Sequence, residues 1–130
     1  MDGPLGVRDF GRKLNALADA RTAATFRNAT APTMGEIVLS RFEQNTALRP
    51  TVAKLALSDL FHPVDTLRRT EATARVMWAL YGRGRGGRLD RWLLVFAYSA
   101  CVLVWLGDNA PGLRRTRGAV RIALTLIGVR

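Results

Sequence analysis

Asp90-Arg91-Trp92-Leu93-Leu94-Val95-Phe96-Ala97-Tyr98-Ser99-Ala100-Cys101-Val102-Leu103-Val104-Trp105-Leu106 is the stretch on which the reading of the fold turns. Over residues 92–106 only Ser99 interrupts the apolar run. As a helix those residues rise about 22 Å at 1.5 Å each, short of the roughly 30 Å hydrocarbon core of a bilayer. Trp92 and Trp105 stand near the two ends, where an aromatic belt would place them. Asp90, Arg91 and Asp108 bound the run closely, and basic residues flank both sides, so charge gives it no membrane orientation. The stretch reads best as the central helix of a globular bundle, apolar all round because neighbours surround it.

Outward from that helix the chain reads as helix throughout. On its N-terminal side, Gly82-Arg83-Gly84-Arg85-Gly86-Gly87-Arg88 breaks any helical pattern through the backbone entropy of its glycines. Before the break, Leu67, Ala74, Met77, Trp78 and Tyr81 share one side of a predicted helix over 66–81, with Asp65 as its N-cap. Pro63 ends the helix before it, which starts at Pro50 and carries Val52, Leu55, Ala56, Leu57, Leu60 and Phe61. Thr33-Met34-Gly35-Glu36 has the form of a capping box and opens a stripe of Ile37, Val38, Leu39 and Phe42 that runs to about residue 48. Val7, Phe10, Leu14, Leu17 and Ala18 mark a first helix that thins out over 22–31. On the C-terminal side, residues 107–112 form a turn. Past Arg114, Arg115 and Arg117, a last apolar segment over 119–129 favours a helix. The expectation is an all-α, single-domain bundle of about six helices over residues 1–130, with the apolar helix near 90–106 at its centre.

At 130 residues the chain has room for one modest core. Its net charge of +10 is unevenly placed. Residues 1–65 hold six Arg, two Lys and seven acids, a balance of +1. Residues 66–130 hold twelve Arg, no Lys and three acids, a balance of +9. Such asymmetry points to an anionic partner: nucleic acid, an anionic membrane surface or an acidic protein.

Three Arg groups carry that expectation. Arg83, Arg85 and Arg88, with Arg91 just beyond, lie on the Gly-rich segment, where flexible cations can follow a phosphate backbone. Arg114, Arg115, Arg117 and Arg121 lie between two apolar helices. If those helices fold back as a hairpin, this group lies at the end opposite the Gly/Arg loop. Arg68, Arg69 and Arg75 stand on the polar side of the helix over 66–81. Arg pairs bidentately with phosphate and carboxylate. Trp78, Tyr81 and Trp92 flank the basic loop and have two readings: surfaces for base stacking, or core aromatics at helical spacing.

Catalytic constellations are thin. Gly82, Gly84 and Gly87 fit G-x-G-x-x-G, but a helix precedes them where a dinucleotide fold needs a strand. His62 lies near Asp59 and Asp65 with no local nucleophile, and Cys101 sits in the most apolar stretch. One Cys and one His leave too few soft ligands for a structural zinc site and exclude an internal disulfide. No enzyme activity, metal or cofactor is expected. Asp2, Arg8, Asp9, Arg12 and Lys13 interrupt any apolar signal core. The expectation is an intracellular protein, peripheral to a membrane or to nucleic acid.

Two short stretches carry resemblances. Val76-Met77-Trp78-Ala79-Leu80 with Gly82, Gly84, Asp90 and Arg91 is similar to a segment of influenza-type matrix proteins. Leu14 to Asp19, in the form L-x-x-x-A-D, resembles the short BH3 pattern of Bcl-2-type proteins. Each covers a small fraction of the chain, and no functional residue is carried over from either.

The functional expectation is a non-enzymatic structural or binding protein, such as a viral or phage matrix- or nucleocapsid-like component. It would hold RNA, DNA or an anionic membrane through its Arg groups and self-associate as a homo-oligomer through its apolar helices. The alternative is a helical protein–protein interaction or membrane-inserted module that uses the hairpin 90–129.

Overall fold

A computed structural model describes residues 3–129, with side chains from residue 10 onward except at 57–60. The side chains of Val7, Leu57, Asp59 and Leu60 therefore lie outside the described residues. Six α-helices follow one another: α1 (Gly3–Thr25), α2 (Met34–Gln44), α3 (Arg49–Phe61), α4 (Pro63–Tyr81), α5 (Arg88–Leu106) and α6 (Arg114–Leu126). Single 3-10 turns at Thr46–Leu48 and Pro111–Leu113 precede α3 and α6. The described residues contain no strand, so the chain is an all-α bundle.

Local chemistry sets the helix ends. At the start of α2 the Thr33 hydroxyl accepts from the Glu36 amide at 3.1 Å, and the Glu36 carboxylate accepts from the Thr33 amide at 3.2 Å. That is the reciprocal box its four letters predicted. α2 ends at Gln44, four residues short of the expected end, where Asn45 turns its side-chain amide onto the Arg41 carbonyl at 2.7 Å. α4 starts at Pro63 and not at Thr66. Proline needs no amide partner in a first turn, so Pro63 begins α4 as well as ending α3. Asp65 then lies inside the first turn, where its charge meets the helix dipole, and is not the N-cap. α6 starts at Arg114, so Arg114, Arg115 and Arg117 belong to a helix's first turn and not to a loop, with Arg121 a further turn along.

The core lies where α2, α4, α5 and α6 meet. α2 contributes Met34, Ile37, Val38 and Phe42; α4 contributes Ala74, Met77, Trp78 and Tyr81. α5 adds Leu94, Val95, Cys101 and Trp105, and α6 adds Val120 and Leu124. Phe42 stacks on Tyr98 with ring centroids 5.3 Å apart and tilts against Trp105 at 5.5 Å. α1 and α3 cover the other side of α4.

α5 lies between α4 and α6, its most extensive neighbours, yet its burial is one-sided. The expectation of neighbours all round is corrected here. Leu94, Val95, Ala97, Cys101 and Trp105 face inward, while Leu89, Phe96 and Leu103 stand 71%, 68% and 73% exposed. Six helices of this length leave no element to cover that outer side.

Candidate functional site

The Gly/Arg segment is a built turn. Gly82, Arg83, Gly84 and Gly86 all have positive φ, so the backbone coils tightly between α4 and α5. Arg85 donates to Asp90 at 2.7 Å and to the Gly128 carbonyl at 3.2 Å, and its Cζ lies 4.8 Å from the Trp78 ring centroid. Asp90 also accepts from the Gly86 amide at 3.0 Å. The Arg85 hydrogen bond, helped by that amide, holds the Asp90 carboxyl below its ordinary value. Arg83 stacks 4.5 Å from the Tyr81 centroid and donates to the Ala31 carbonyl at 2.8 Å. Two of the three loop cations are thus latches between the loop and the rest of the molecule. Trp78 and Tyr81 are core residues, 2% and 8% exposed, and Trp92 is half-buried.

The three Arg groups do not merge into one patch. α5 and α6 pair as an antiparallel hairpin, with Gly128 reaching back to Arg85. Arg114, Arg115 and Arg117 therefore sit at the end opposite Arg83, Arg85 and Arg88, roughly 28 Å away along α5. Arg117 bonds Glu43 at 2.6 Å, and Arg75 and Arg91 both meet Glu71, at 2.9 and 3.4 Å. Arg69 is half-buried and packs against Gly11. Arg68, Arg88, Arg114, Arg115 and Arg121 are exposed. Arg88, Arg114 and Arg121 make no side-chain hydrogen bond or ion pair among the described residues.

Asp108 explains how three arginines are tolerated at the start of α6. It is buried, and it accepts from the Thr116 amide and hydroxyl, both at 2.7 Å, and from the Ala110 amide at 3.0 Å. Burial pushes its carboxyl up, but the Thr116 and Ala110 hydrogen bonds, with Arg115 nearby, prevail and hold it low. The fixed anion supplies the negative charge that a helix N-terminus favours.

The outer side of the α5–α6 hairpin is where free charge and uncovered apolar surface coincide. Leu89, Phe96 and Leu103 recur every seven residues, so they share one line along α5. On α6, Ile122 and Leu126 are 61% and 82% exposed, and the antiparallel pairing brings them beside the first half of α5. Arg88 on α5 and Arg115 and Arg121 on α6 are exposed on the same two helices. The three acids of the C-terminal half are all engaged elsewhere: Glu71 with Arg75, Asp90 with Arg85, Asp108 with Thr116. Lys13 and Lys54, by contrast, stand exposed on α1 and α3, the other side of the bundle. By length and composition α5 is also apolar enough to cross a membrane, the one such helix among the described residues.

A second cluster was not singled out by the sequence. Arg41 is 5% exposed and gives its whole guanidinium to protein partners: Tyr98 Oη at 2.8 Å, Asn15 Oδ1 at 2.8 Å, and the Asp19 carboxylate. Thr73 closes the network with a 2.9 Å bond to Asp19. Burial works against the Arg41 charge, but Tyr98 and Asp19 prevail and hold it firmly protonated. The signal was present in sequence, since Arg41 falls in the buried register of Met34, Ile37, Val38 and Phe42. Burial pushes the Cys101 thiol up to about 11, which leaves little thiolate at neutral pH. His62 serves through its backbone, with its carbonyl accepting from Thr66.

No family model, curated protein or solved structure matches the chain.

Proposed function

We propose that this is a non-enzymatic peripheral membrane module that lays the outer side of its α5–α6 hairpin on an anionic bilayer surface. The observation that carries the reading is that the α5–α6 hairpin leaves Leu89, Phe96, Leu103, Ile122 and Leu126 exposed together with Arg88, Arg115 and Arg121, while the three acids of the C-terminal half are engaged elsewhere. Apolar side chains enter the acyl boundary while arginines meet lipid phosphates. A nucleic acid would leave the apolar line unused, and its phosphate track would need the cations that Arg83 and Arg85 commit to the fold. A symmetric dimer across the same face would bring its arginine rims together without an intervening anion.

The test is co-sedimentation with phosphatidylcholine vesicles, with and without phosphatidylserine, at low and high salt, beside duplex DNA and single-stranded RNA. Binding is expected only to phosphatidylserine-containing vesicles, and to weaken with salt. Arg88→Ala and Arg121→Ala should each weaken it about fivefold, as about 1 kcal/mol per basic residue near the surface implies. Phe96→Asp should abolish it while circular dichroism stays helical. Nucleic-acid binding that survives Phe96→Asp, or dimerisation lost in Phe96→Asp without vesicle binding by wild type, would overturn the reading.

A further inference from the structure

α1 buries little for its length. Among its described residues Gly11, Ala18 and Thr22 are buried, and none of these has a side chain larger than threonine's. Phe10 and Leu17 stand 38% and 49% exposed, and among the described residues no α1 side chain belongs to the core cluster. Beneath α1 an apolar cleft of about 430 Å³ stays open, with Leu14, Leu55 and Val102 in its wall, whereas a well-packed interior leaves few voids larger than a water. What holds α1 is polar. Asp19 and Asn15 both accept from Arg41, Asp19 accepts from Thr73, Asn15 Nδ2 donates to the Arg69 carbonyl at 3.3 Å, and Thr25 accepts from Gln44 at 2.6 Å. An element with few buried apolar contacts opens at a lower free energy than the whole domain.

The linker from α1 to α2 favours the open form. Residues 26–33 are exposed apart from half-buried Phe26 and buried Pro32. Ala31 has φ of +47°, a left-handed conformation that a Cβ disfavours. It also precedes Pro32, and a proline ring pushes the residue before it toward extended backbone with negative φ. Two separate steric effects thus oppose the turn that seats α1 on its own chain. Arg83 offsets them by donating from Nη2 to the Ala31 carbonyl at 2.8 Å. Eight extended residues reach roughly 27 Å, enough to carry α1 to a neighbouring molecule. The surface that α1 leaves is shaped for α1 itself, and another copy brings the same Asn15 and Asp19 to it.

We propose that two copies of this chain exchange α1, each seating its Asp19 on Arg41 of the partner subunit, with residues 26–33 extended between them. Exchange of an identical element closes a symmetric dimer without any new complementary surface, and strain in a hinge invites it. α1 packs mainly on α2, α3 and α4. The exchange therefore leaves the outer side of the α5–α6 hairpin free and does not rest on the bilayer reading.

The experiment is light scattering of the full chain from micromolar to millimolar concentration, with the dimer fraction then cross-linked. Wild type is expected to dimerise, and slowly, because α1 must open first. Ala31→Gly removes the Cβ cost of the closed turn and should weaken the dimer at least about tenfold. Arg83→Ala releases the Ala31 carbonyl and should strengthen it. Phe96→Asp should leave the dimer intact, which separates exchange of α1 from association through the outer face. In the dimer fraction of the double variant Thr25→Cys with Gln44→Cys, whose side chains meet when α1 is docked, oxidation should join two chains. A monomer throughout, a dimer indifferent to Ala31→Gly or lost in Phe96→Asp, or disulfides formed only within one chain would overturn the proposal. Should the cysteine variant fail to fold, wild type mixed from isotope-labelled and unlabelled chains decides. A Cβ at Gly11 would stand 3.9 Å from Leu55 Cδ2, so the docked helix brings Gly11 to the Leu55 methyls. Overhauser contacts between Gly11 of one chain and Leu55 of the other support the exchange, and contacts within one chain alone overturn it.

Discussion

The guanidinium of Arg85 and the carboxylate of Asp90 close a 2.7 Å salt bridge across the turn that leads into α5, and the pair is seated on the Trp78 indole. A segment whose letters read as a loose basic tract is thereby fastened to the core, to the helix start and to the carbonyl of Gly128.

Arg85→Ala and Asp90→Asn should each lower stability by about 1 kcal/mol, the upper end of the range for an ion pair still in contact with solvent. Arg88→Ala, three residues away and unpartnered, should stay within about 0.5 kcal/mol. Urea denaturation at neutral pH reads all three. A destabilised Arg88→Ala would mean that the latch is misassigned.

The Asp90 carboxyl titrates below 3.8, its ordinary value, because Arg85 and the Gly86 amide favour its charged form. A depressed carboxyl contributes stability above its unfolded pKa and loses it as pH falls through the folded one. The stability gap between wild type and Asp90→Asn should therefore be full at neutral pH and narrow below 3.8. An equal gap at neutral pH and in strong acid would contradict the assignment.

Arg41→Ala should be among the most damaging single changes in the chain, at about 3–5 kcal/mol, because it leaves the Asp19 charge uncompensated in the interior. The paired change Arg41→Leu with Asp19→Leu should recover much of that loss. Thermal melts of both check it. A double variant as unstable as Arg41→Ala would show that the network matters for more than charge balance.

Phe42→Ala should cost about 3–5 kcal/mol, since its ring is enclosed by Tyr98 and Trp105. Phe96→Ala, on the uncovered side of α5, should change stability by less than about 0.5 kcal/mol. Comparable losses in the two variants would mean that α5 is covered on both sides in solution.

Gly86 has φ of +117°, and a Cβ placed there would lie 3.1 Å from Trp78 Cβ. Gly86→Ala should cost about 1–3 kcal/mol from backbone strain and that close approach. Calorimetry of the variant is the check, and a neutral substitution would mean the turn has another conformation available.

The helix content was legible because it rests on local signals. Thr33 and Glu36 predicted their own hydrogen bonds, and Gly82 to Gly87 predicted the break before α5. The place of Arg114, Arg115 and Arg117 opposite the Gly/Arg loop was legible only on the condition that α5 and α6 pair as a hairpin, which they do. What was not legible depended on long-range pairing. Asp108 capping Thr116, and Arg41 reaching Asp19 from another helix, leave no local trace. Which side of α5 stays uncovered was hidden for a different reason. With 92–106 apolar on every side, composition cannot distinguish a surrounded helix from an edge helix, although 89, 96 and 103 already held the line. The Arg groups were read as equivalent, whereas neighbouring carbonyls and acids make Arg83 and Arg85 structural and leave Arg88 and Arg121 free.

The absence of lysine from residues 66–130 has a practical and a biological side. Guanidinium charge does not titrate in the physiological range, and enzymes that acylate or ubiquitinate lysine amines find no substrate on the α5–α6 face. Its positive potential is thus insensitive to lysine modification and to pH across the physiological range. For the same reason, amine coupling through Lys13 or Lys54 would anchor the molecule by α1 or α3 and leave that face presented outward, a fixed orientation obtained without any engineered tag.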